Sequence, residues 1–408
     1  MSVQRVAMLS VHTSPLAQPG AGDGGGMNVY VRSLASNLAR AGVACDVLTR
    51  ADHAEQPPVA EVEPGFRVVH LAAGPIAPVP KSALPELVDP FVDAALDFLA
   101  AEHEPPDVLH ANYWISGAVG HKLKHDLDLP LVATFHTLDR VKAEAGVGDD
   151  PETRARVEGE IVRCADLMIA ATDDERRQLV TLYGAQEDRI EVVPPGVDHR
   201  VFVPGDRAAA RSTLGLDPDA RALLYVGRIQ PLKGADLAVR ALAELDDDVS
   251  LLVVGGPSGT NGPAQVVALR KLVADLGLER RVRFVPPQPH DQLVSYYQAA
   301  DVCLVPSRTE SFGLVALEAA ACGTPVVAAD VGGLGSVVDD GHTGFLVEGR
   351  AAVGYAAPVD VLLSHPELAT AMGASALVRS SRYMWSIAAA RLRRLYGDLA
   401  TRAPVECS

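Results

Sequence analysis

Short apolar runs alternate with helical patterns through most of this chain, and no other feature restricts its fold as tightly. Residues 6–9, 45–48, 67–71, 108–110, 131–135, 167–171 and 190–193 form a first series. Continuous runs rich in Val, Leu and Ile suit strands buried on both faces, and strands separated by helices predict an α/β fold with a doubly wound parallel sheet. After Pro194-Pro195-Gly196 the pattern restarts at 223–226, 251–254, 282–285, 302–305, 326–329 and 345–347. A chain of 408 residues exceeds what one core normally serves. We therefore expect two Rossmann-like domains, 1–195 and 196–384, and a final segment, 385–408. There Leu392, Leu395 and Leu399 make a packing stripe at helical spacing.

Composition removes several function classes. The formal charge of −16 argues against general nucleic-acid binding, which rests on a basic footprint. The stretch 84–104, the best candidate for lying on a membrane, carries Glu86, Asp89, Asp93 and Asp97 and no Lys or Arg. Although 48% of residues are hydrophobic, no run approaches the ~18 needed to span a bilayer, and no signal peptide is visible. The five cysteines, Cys45, Cys164, Cys303, Cys322 and Cys407, are scattered and free of any Cys-x-x-Cys pair, which suits reduced thiols rather than a disulfide frame or a zinc site, and a cytoplasmic protein. Small molecules are the expected partners, with no nucleic acid and no membrane.

An acidic protein that binds anions must use local cations at strand ends. The run 302–305 reads as a buried strand, 306–311 as the loop at its carboxyl end and 313–321 as a helix. Ligands of open parallel sheets gather at that edge, and the amides of Phe312, Gly313 and Leu314 at a helix start suit a diphosphate. Glu310 and Glu318, with seven residues between them, suit vicinal hydroxyls: Glu310 the sugar, Glu318 the ribose. On spacing alone both are also ordinary helix-face acids. Val226-Gly-Arg-Ile-Gln-Pro-Leu-Lys-Gly234 puts Arg228 and Lys233 after the first strand of the second half, a fork and a point charge for a diphosphate leaving group.

In the first half, His12 ends a strand ahead of Asp23-Gly-Gly-Gly-Met-Asn28, where glycines permit close backbone approach and Asp23 and Asn28 can meet a polyol. This is not the Gly-x-Gly-x-x-Gly fingerprint, so a nicotinamide enzyme is disfavoured. Tyr113 and Trp114 follow another strand; Trp114 reads better as core, Tyr113 as a phosphate partner. His136-Thr137 leaves the next strand, where a histidine is poised for a sugar hydroxyl. Two decoys carry no metal: Asp126-Leu-Asp128 and Asp246-Asp-Asp248 precede strands instead of following them. His121-Lys-Leu-Lys-His125 likewise reads as a mixed surface turn, without the geometry of a ligand cluster.

The Glu-x7-Glu string followed by Cys322-Gly-Thr-Pro-Val326 resembles the retaining glycosyltransferases of family 4. That resemblance implies the GT-B fold, two Rossmann-like domains facing across a cleft with a C-terminal helix returning to the first. It makes Arg228, Lys233, His136 and Glu310 the catalytic set. The opening 8–28 is similar to the branch that moves N-acetylglucosamine from UDP to inositol 3-phosphate, the first step of mycothiol biosynthesis. By that likeness Gln18, Pro19 and Gly26 touch the donor with Arg228, Lys233, Glu310, Phe312, Gly313, Leu314 and Glu318. His12, Asp23, Gly24, Gly25, Gly26, Met27 and Asn28 surround the inositol, and Lys81, Tyr113, Thr137 and Arg154 take its phosphate, with Arg156 an alternative to Arg154. Asn112 stands where that branch commonly has His. The donor is then a UDP-sugar, with no cofactor required for chemistry; a non-catalytic divalent ion and a homodimer are both admitted. Another cyclitol or aminocyclitol acceptor is the alternative.

Overall fold

The computed structural model describes residues 3–20, 22–146, 151–259 and 261–407. They form two compact units, one of Met1–Ala17, Gly26–Pro194 and Trp385–Ser408, the other of Gln18–Gly25 and Pro195–Met384. The segment Gln18–Gly25 corrects the expected boundary, since it leaves the first series of strands for the second unit. The Gly20 carbonyl accepts from the Gly256 amide at 3.1 Å, and a Cβ on Gly25 would stand 3.3 Å from Arg228 Nε.

The first unit holds eight strands: β1 Arg5–Leu9, β2 Ala44–Arg50, β3 Val59–Glu63, β4 Phe66–Leu71, β5 Val108–Asn112, β6 Leu131–Thr134, β7 Leu167–Ala170 and β8 Ile190–Val192. Their order is β3-β4-β2-β1-β5-β6-β7-β8. All neighbours pair in parallel except β3 and β4, an antiparallel edge pair turned at Pro64-Gly65. This edge strand was not expected, because Val-Ala-Glu-Val-Glu is mostly exposed or half-exposed and pairs on one side only. From β1 the chain runs outward through β2 and then returns to the other side as β5, so the switch point lies between β1 and β5.

The second unit holds β9 Arg221–Val226, β10 Val249–Val254, β11 Val282–Val285, β12 Val302–Val305, β13 Val326–Ala329 and β14 Gly344–Val347. The order β11-β10-β9-β12-β13-β14 is parallel throughout. Its switch point lies between β9 and β12. Ligands of open α/β sheets gather outside the strand carboxyl ends at such a point. Asp246 and Asp248 pair with Arg221 at the amino end of β9, the opposite edge. Asp128 is a left-handed cap after the helix Trp114–Leu127.

The C-terminal helix Trp385–Leu399 belongs to the first unit, where Trp385 meets Tyr30 of the helix Gly26–Arg40 edge-on at 5.6 Å. Leu392 and Leu395 of the expected stripe are buried. Trp114 is partly buried against the core. Two expectations are corrected. Cys164 and Cys407 are joined as a disulfide, with Cα atoms 5.0 Å apart. Residues 121–125 are no surface turn but lie in the helix Trp114–Leu127, with His121 and His125 on one face.

Buried His110 on β5 bonds Tyr396 Oη at 2.6 Å and Thr134 Oγ1 at 2.8 Å. Burial pushes its pKa down to about 3, against 6.5 for an ordinary histidine. Between those values the unfolded chain binds a proton that the folded chain does not. This stability is complete above the ordinary value and is lost as pH falls through the window, by up to about 1.4 kcal/mol per pH unit. His110→Gln is expected to flatten the pH dependence of urea unfolding across that window by up to one proton; an unchanged slope would place the pH sensitivity elsewhere.

Candidate active site

In the second unit the sequence-predicted cations stand at the switch point. Lys233 follows β9, Glu310 follows β12, and Lys233 Nζ meets Glu310 Oε2 at 2.6 Å. Ser307 Oγ donates to the same oxygen at 3.2 Å. The loop carrying Glu310 is fixed from beneath: its carbonyl accepts from the Gly333 amide at 2.8 Å, and a Cβ on Gly332 would come within 2.1 Å of that carbonyl oxygen. Gly332 also has a φ of +51°, so the close approach and the left-handed backbone both require glycine.

Arg228 Nη1 donates to Ser258 Oγ at 3.2 Å, joining the ends of β9 and β10. Tyr225, fully buried beneath them, donates its hydroxyl to the Arg228 carbonyl at 3.1 Å. Burial pushes the Tyr225 phenol up; Asp236 and Glu310 push the same way and Arg228 opposes them. Arg228 and Glu310 therefore both act on one ring, and Lys233 is bonded to Glu310. Phe312 is buried, its ring 5.5 Å from that of Tyr383. Gly313 caps the helix Leu314–Ala321, whose first amides have no intrahelical partner.

Glu318 is not a solvated helix-face acid. It is 5% exposed, with His290 Nε2 at 2.7 Å from Oε1 and the Tyr297 hydroxyl at 2.7 Å from Oε2. A carboxylate offers about four lone-pair sites, so a ribose would meet those left by these two bonds. Gln18 is exposed, Pro19 half-buried and Gly24 buried in the segment that lies with this unit.

In the first unit β1, β5 and β6 are neighbours, and the candidate residues follow their carboxyl ends. The His12 and Tyr113 rings pack at 4.4 Å across the switch point, tilted by 36°. Arg154 Nη1 reaches the Tyr113 hydroxyl at 3.2 Å, and Nη2 reaches the Thr137 carbonyl at 2.6 Å and Oγ1 at 3.1 Å. The guanidinium also lies 4.9 Å from the centre of the Tyr113 ring. Arg156 turns instead to Glu160 and is exposed, so Arg154 is the arginine beside Tyr113 and Thr137.

Tyr113 and His136 hold φ of +78° and +61°, two of three non-glycine residues with positive φ among the described ones. Such backbone costs of order 1–3 kcal/mol and persists only where the surroundings over-determine it. His136 Nε2 bonds Asn112 Oδ1 at 3.0 Å, and the Tyr30 ring packs edge-on at 4.8 Å. Burial, then the nearby His110 and His12, pushes the His136 pKa down to about 3, so the imidazole is neutral at ordinary pH. Asn112 thus orients it.

Asn28 is buried, its amide donating to Thr13 Oγ1 at 2.8 Å and the Ser14 carbonyl at 2.6 Å, so it braces the loop after β1. Gly26 and Met27 open the helix Gly26–Arg40. Lys81, exposed, opens the short helix Lys81–Leu87.

Sequence reasoning missed Glu158. Fully buried, it accepts from Arg154 Nε at 2.7 Å and from the Asp139 amide at 2.9 Å, and the Tyr183 hydroxyl bonds it too. Its signal was the four-residue spacing from Arg154, which puts the two on one helix face. Ser258, Ser307 and Tyr225 carried no comparable signal.

These strand-end arrangements can be set beside known proteins. Residues 25–196 match the family described as Glycosyl transferase 4-like domain, and residues 206–378 that described as Glycosyl transferases group 1. A D-inositol 3-phosphate glycosyltransferase of Geodermatophilus obscurus is 53% identical over 382 residues, covering 90% of this chain and 84% of the relative. The chain belongs to the D-inositol 3-phosphate glycosyltransferase family. A relative of the same name from Acidothermus cellulolyticus is 47% identical over 97% of this chain and 90% of its own length. Among solved structures, sucrose-phosphate synthase from Thermosynechococcus elongatus superposes with a TM-score of 0.91 and 36% identity, covering 97% of this chain and 99% of that one. HepE of Anabaena, in complex with UDP and glucose, gives 0.78 at 23% identity over 97% and 100%, a likeness of fold alone. The chain is a glycosyltransferase of the GT-B fold.

Glu158→Gln is expected to leave the buried Arg154 without its counter-charge and to cost about 3–5 kcal/mol in chemical denaturation. A loss below ~1 kcal/mol would show that Tyr113 and Thr137 hold the guanidinium unaided.

Proposed function

We propose that this enzyme transfers N-acetylglucosamine from UDP-N-acetylglucosamine to 1D-myo-inositol 3-phosphate with retention, the opening step of mycothiol biosynthesis. The observation that carries the reading is the buried Arg154, held by Glu158 against Tyr113 and Thr137 at the carboxyl ends of β5 and β6. A guanidinium flanked by two hydroxyls suits a phosphate dianion. The relatives' name denotes a phosphorylated inositol acceptor, which fits that chemistry. Lys81 joins this group as the fourth phosphate partner.

On this reading the inositol ring lies by His12, Asn28 and the Asp23 to Met27 turn. His136, neutral and oriented by Asn112, meets a hydroxyl of the transferred sugar, as does Glu310. Lys233 and Ser307 both bond Oε2 of Glu310, which leaves Oε1 as the acceptor this reading assigns to the sugar. Arg228, Lys233 and the amides at the start of the helix Leu314–Ala321 meet the diphosphate, and Glu318 the ribose.

The reaction needs no enzymic nucleophile: the acceptor attacks from the face the diphosphate leaves, and the departing oxygen takes its proton. Arg228 and Lys233 stabilise the negative charge that grows there, an interaction stronger in the transition state than in the bound donor. Asn112 in place of His favours, as second reading, a related cyclitol or aminocyclitol.

Arg228→Ala and Lys233→Ala are each expected to lower kcat by roughly 10- to 150-fold, the equivalent of one charge-assisted bond. Near-normal turnover would remove that residue from the mechanism. Tyr113→Phe is expected to raise the KM for inositol 3-phosphate by a comparable factor while leaving hydrolysis of the donor unchanged. Free inositol is expected to be a poor acceptor for the wild type; equal use of inositol and its phosphate would overturn the phosphate pocket.

A further inference from the structure

Away from these sites, four metal-ligating side chains from three segments of the first unit converge. His121 and His125 lie one turn apart in the second half of the helix Trp114–Leu127, their ring centroids 5.3 Å from each other. Cys164 ends the helix Pro151–Cys164, and Cys407 comes from the segment after the C-terminal helix. One ligand atom from each residue lies within 4.8 Å of all the others, and Cys164 Sγ is 3.5 Å from His125 Nε2. We propose that, with the Cys164–Cys407 pair reduced, these four residues bind one zinc ion in a tetrahedral Cys2His2 site.

The spacing suits it. Zn–S bonds of about 2.3 Å and Zn–N bonds of about 2.0–2.1 Å put tetrahedral ligand atoms roughly 3.3–3.8 Å apart. Small rotations about the side-chain bonds bring the four atoms from their present separations to that range. The backbone around them is already fixed: Lys124, between the two histidines in sequence, donates to the Cys164 carbonyl at 2.7 Å and to Asp166 Oδ2 at 2.8 Å. Asp166 holds the Leu131 amide at 2.7 Å through the same oxygen and the Val405 amide at 2.5 Å through the other. Cys407, two residues beyond Val405, is thereby delivered to the helix ends.

With two thiolates and two neutral imidazoles the coordination shell is closed, as in structural zinc sites. The helix starts beside Tyr113, and at 1.5 Å per residue His121 and His125 stand roughly 12–18 Å further along it, away from the acceptor-side residues. The metal therefore ties the chain's end to the fold and leaves the chemistry alone. The disulfide is the metal-free form. A dithiol reductant converts it to two thiols and becomes a disulfide itself; the thiols then release two protons as zinc binds.

The test uses the full chain, reduced with a phosphine, stripped of metal and titrated with Co2+ alone as a spectroscopic stand-in. One equivalent per chain is expected, with the visible bands of tetrahedral cobalt and thiolate-to-metal charge transfer in the ultraviolet, displaced by zinc. The oxidised protein is expected to show neither. His121→Asn and His125→Asn should each weaken binding by at least roughly tenfold, and Cys407→Ser should abolish the charge-transfer pattern of two thiolates. All three should retain glycosyl transfer, which checks their folding. Absence of the thiolate band in reduced wild type, or histidine variants that bind as tightly as wild type, would overturn the proposal and leave the cysteines as a disulfide only.

Discussion

A parallel strand cannot be followed directly by its neighbour; the chain must cross back before the next strand begins. That constraint makes both sheets send the carboxyl ends of all but the antiparallel strand β3 to one edge, and everything assigned here to substrate handling follows from it. At β9 and β12 the edge collects a lysine, an arginine and a glutamate. At β1, β5 and β6 it collects two histidines, a tyrosine, a threonine and an arginine carried on the helix Pro151–Cys164. The two switch points play equivalent parts in the two units, although their chemistry differs.

The protein is strongly acidic, yet each unit presents cations where an anion is expected. Two of these cations rest on carboxylates: Lys233 on Glu310 and Arg154 on fully buried Glu158. Such a partner limits the cost of holding a cation before an anion arrives and fixes the direction in which it points. Both cations are therefore pre-organised, at the expense of some of the attraction a bare cation would exert. Tyr225 shows how closely the second unit's charges are set, since one buried ring responds to Asp236, Glu310 and Arg228.

Much of the fold was readable because a strand buried on both faces must be apolar throughout, and thirteen such runs stood out between helical stretches. The edge strand β3 was not, because one neighbour and a wet face leave Val-Ala-Glu-Val-Glu looking like a loop. The placement of Arg228, Lys233 and Tyr113 beside glycines and strand ends was readable from their position in the chain. Glu318 was readable as a residue but not in its setting, since His290 and Tyr297 reach it only through tertiary packing. The same holds for Gln18–Gly25, whose contacts run against its place in the sequence. Cys164 and Cys407, 243 residues apart, carry no mark of each other until the C-terminal segment is laid beside Asp166.

The helix Trp385–Leu399 has a consequence for how the molecule is made. It supplies Trp385 to Tyr30 and the Tyr396 hydroxyl to His110, 286 residues earlier. A chain emerging from the ribosome at about 5–20 residues per second finishes the β-strands of its first unit long before this helix exists. For roughly 10–40 s at that rate, the groove that Trp385 and Tyr396 will fill stays open, with His110 short of one partner. The main segment of the second unit, Pro195–Met384, lies in sequence between Pro194 and Trp385 and is synthesised during that interval. Vectorial synthesis thus makes the first unit begin before the second and finish after it.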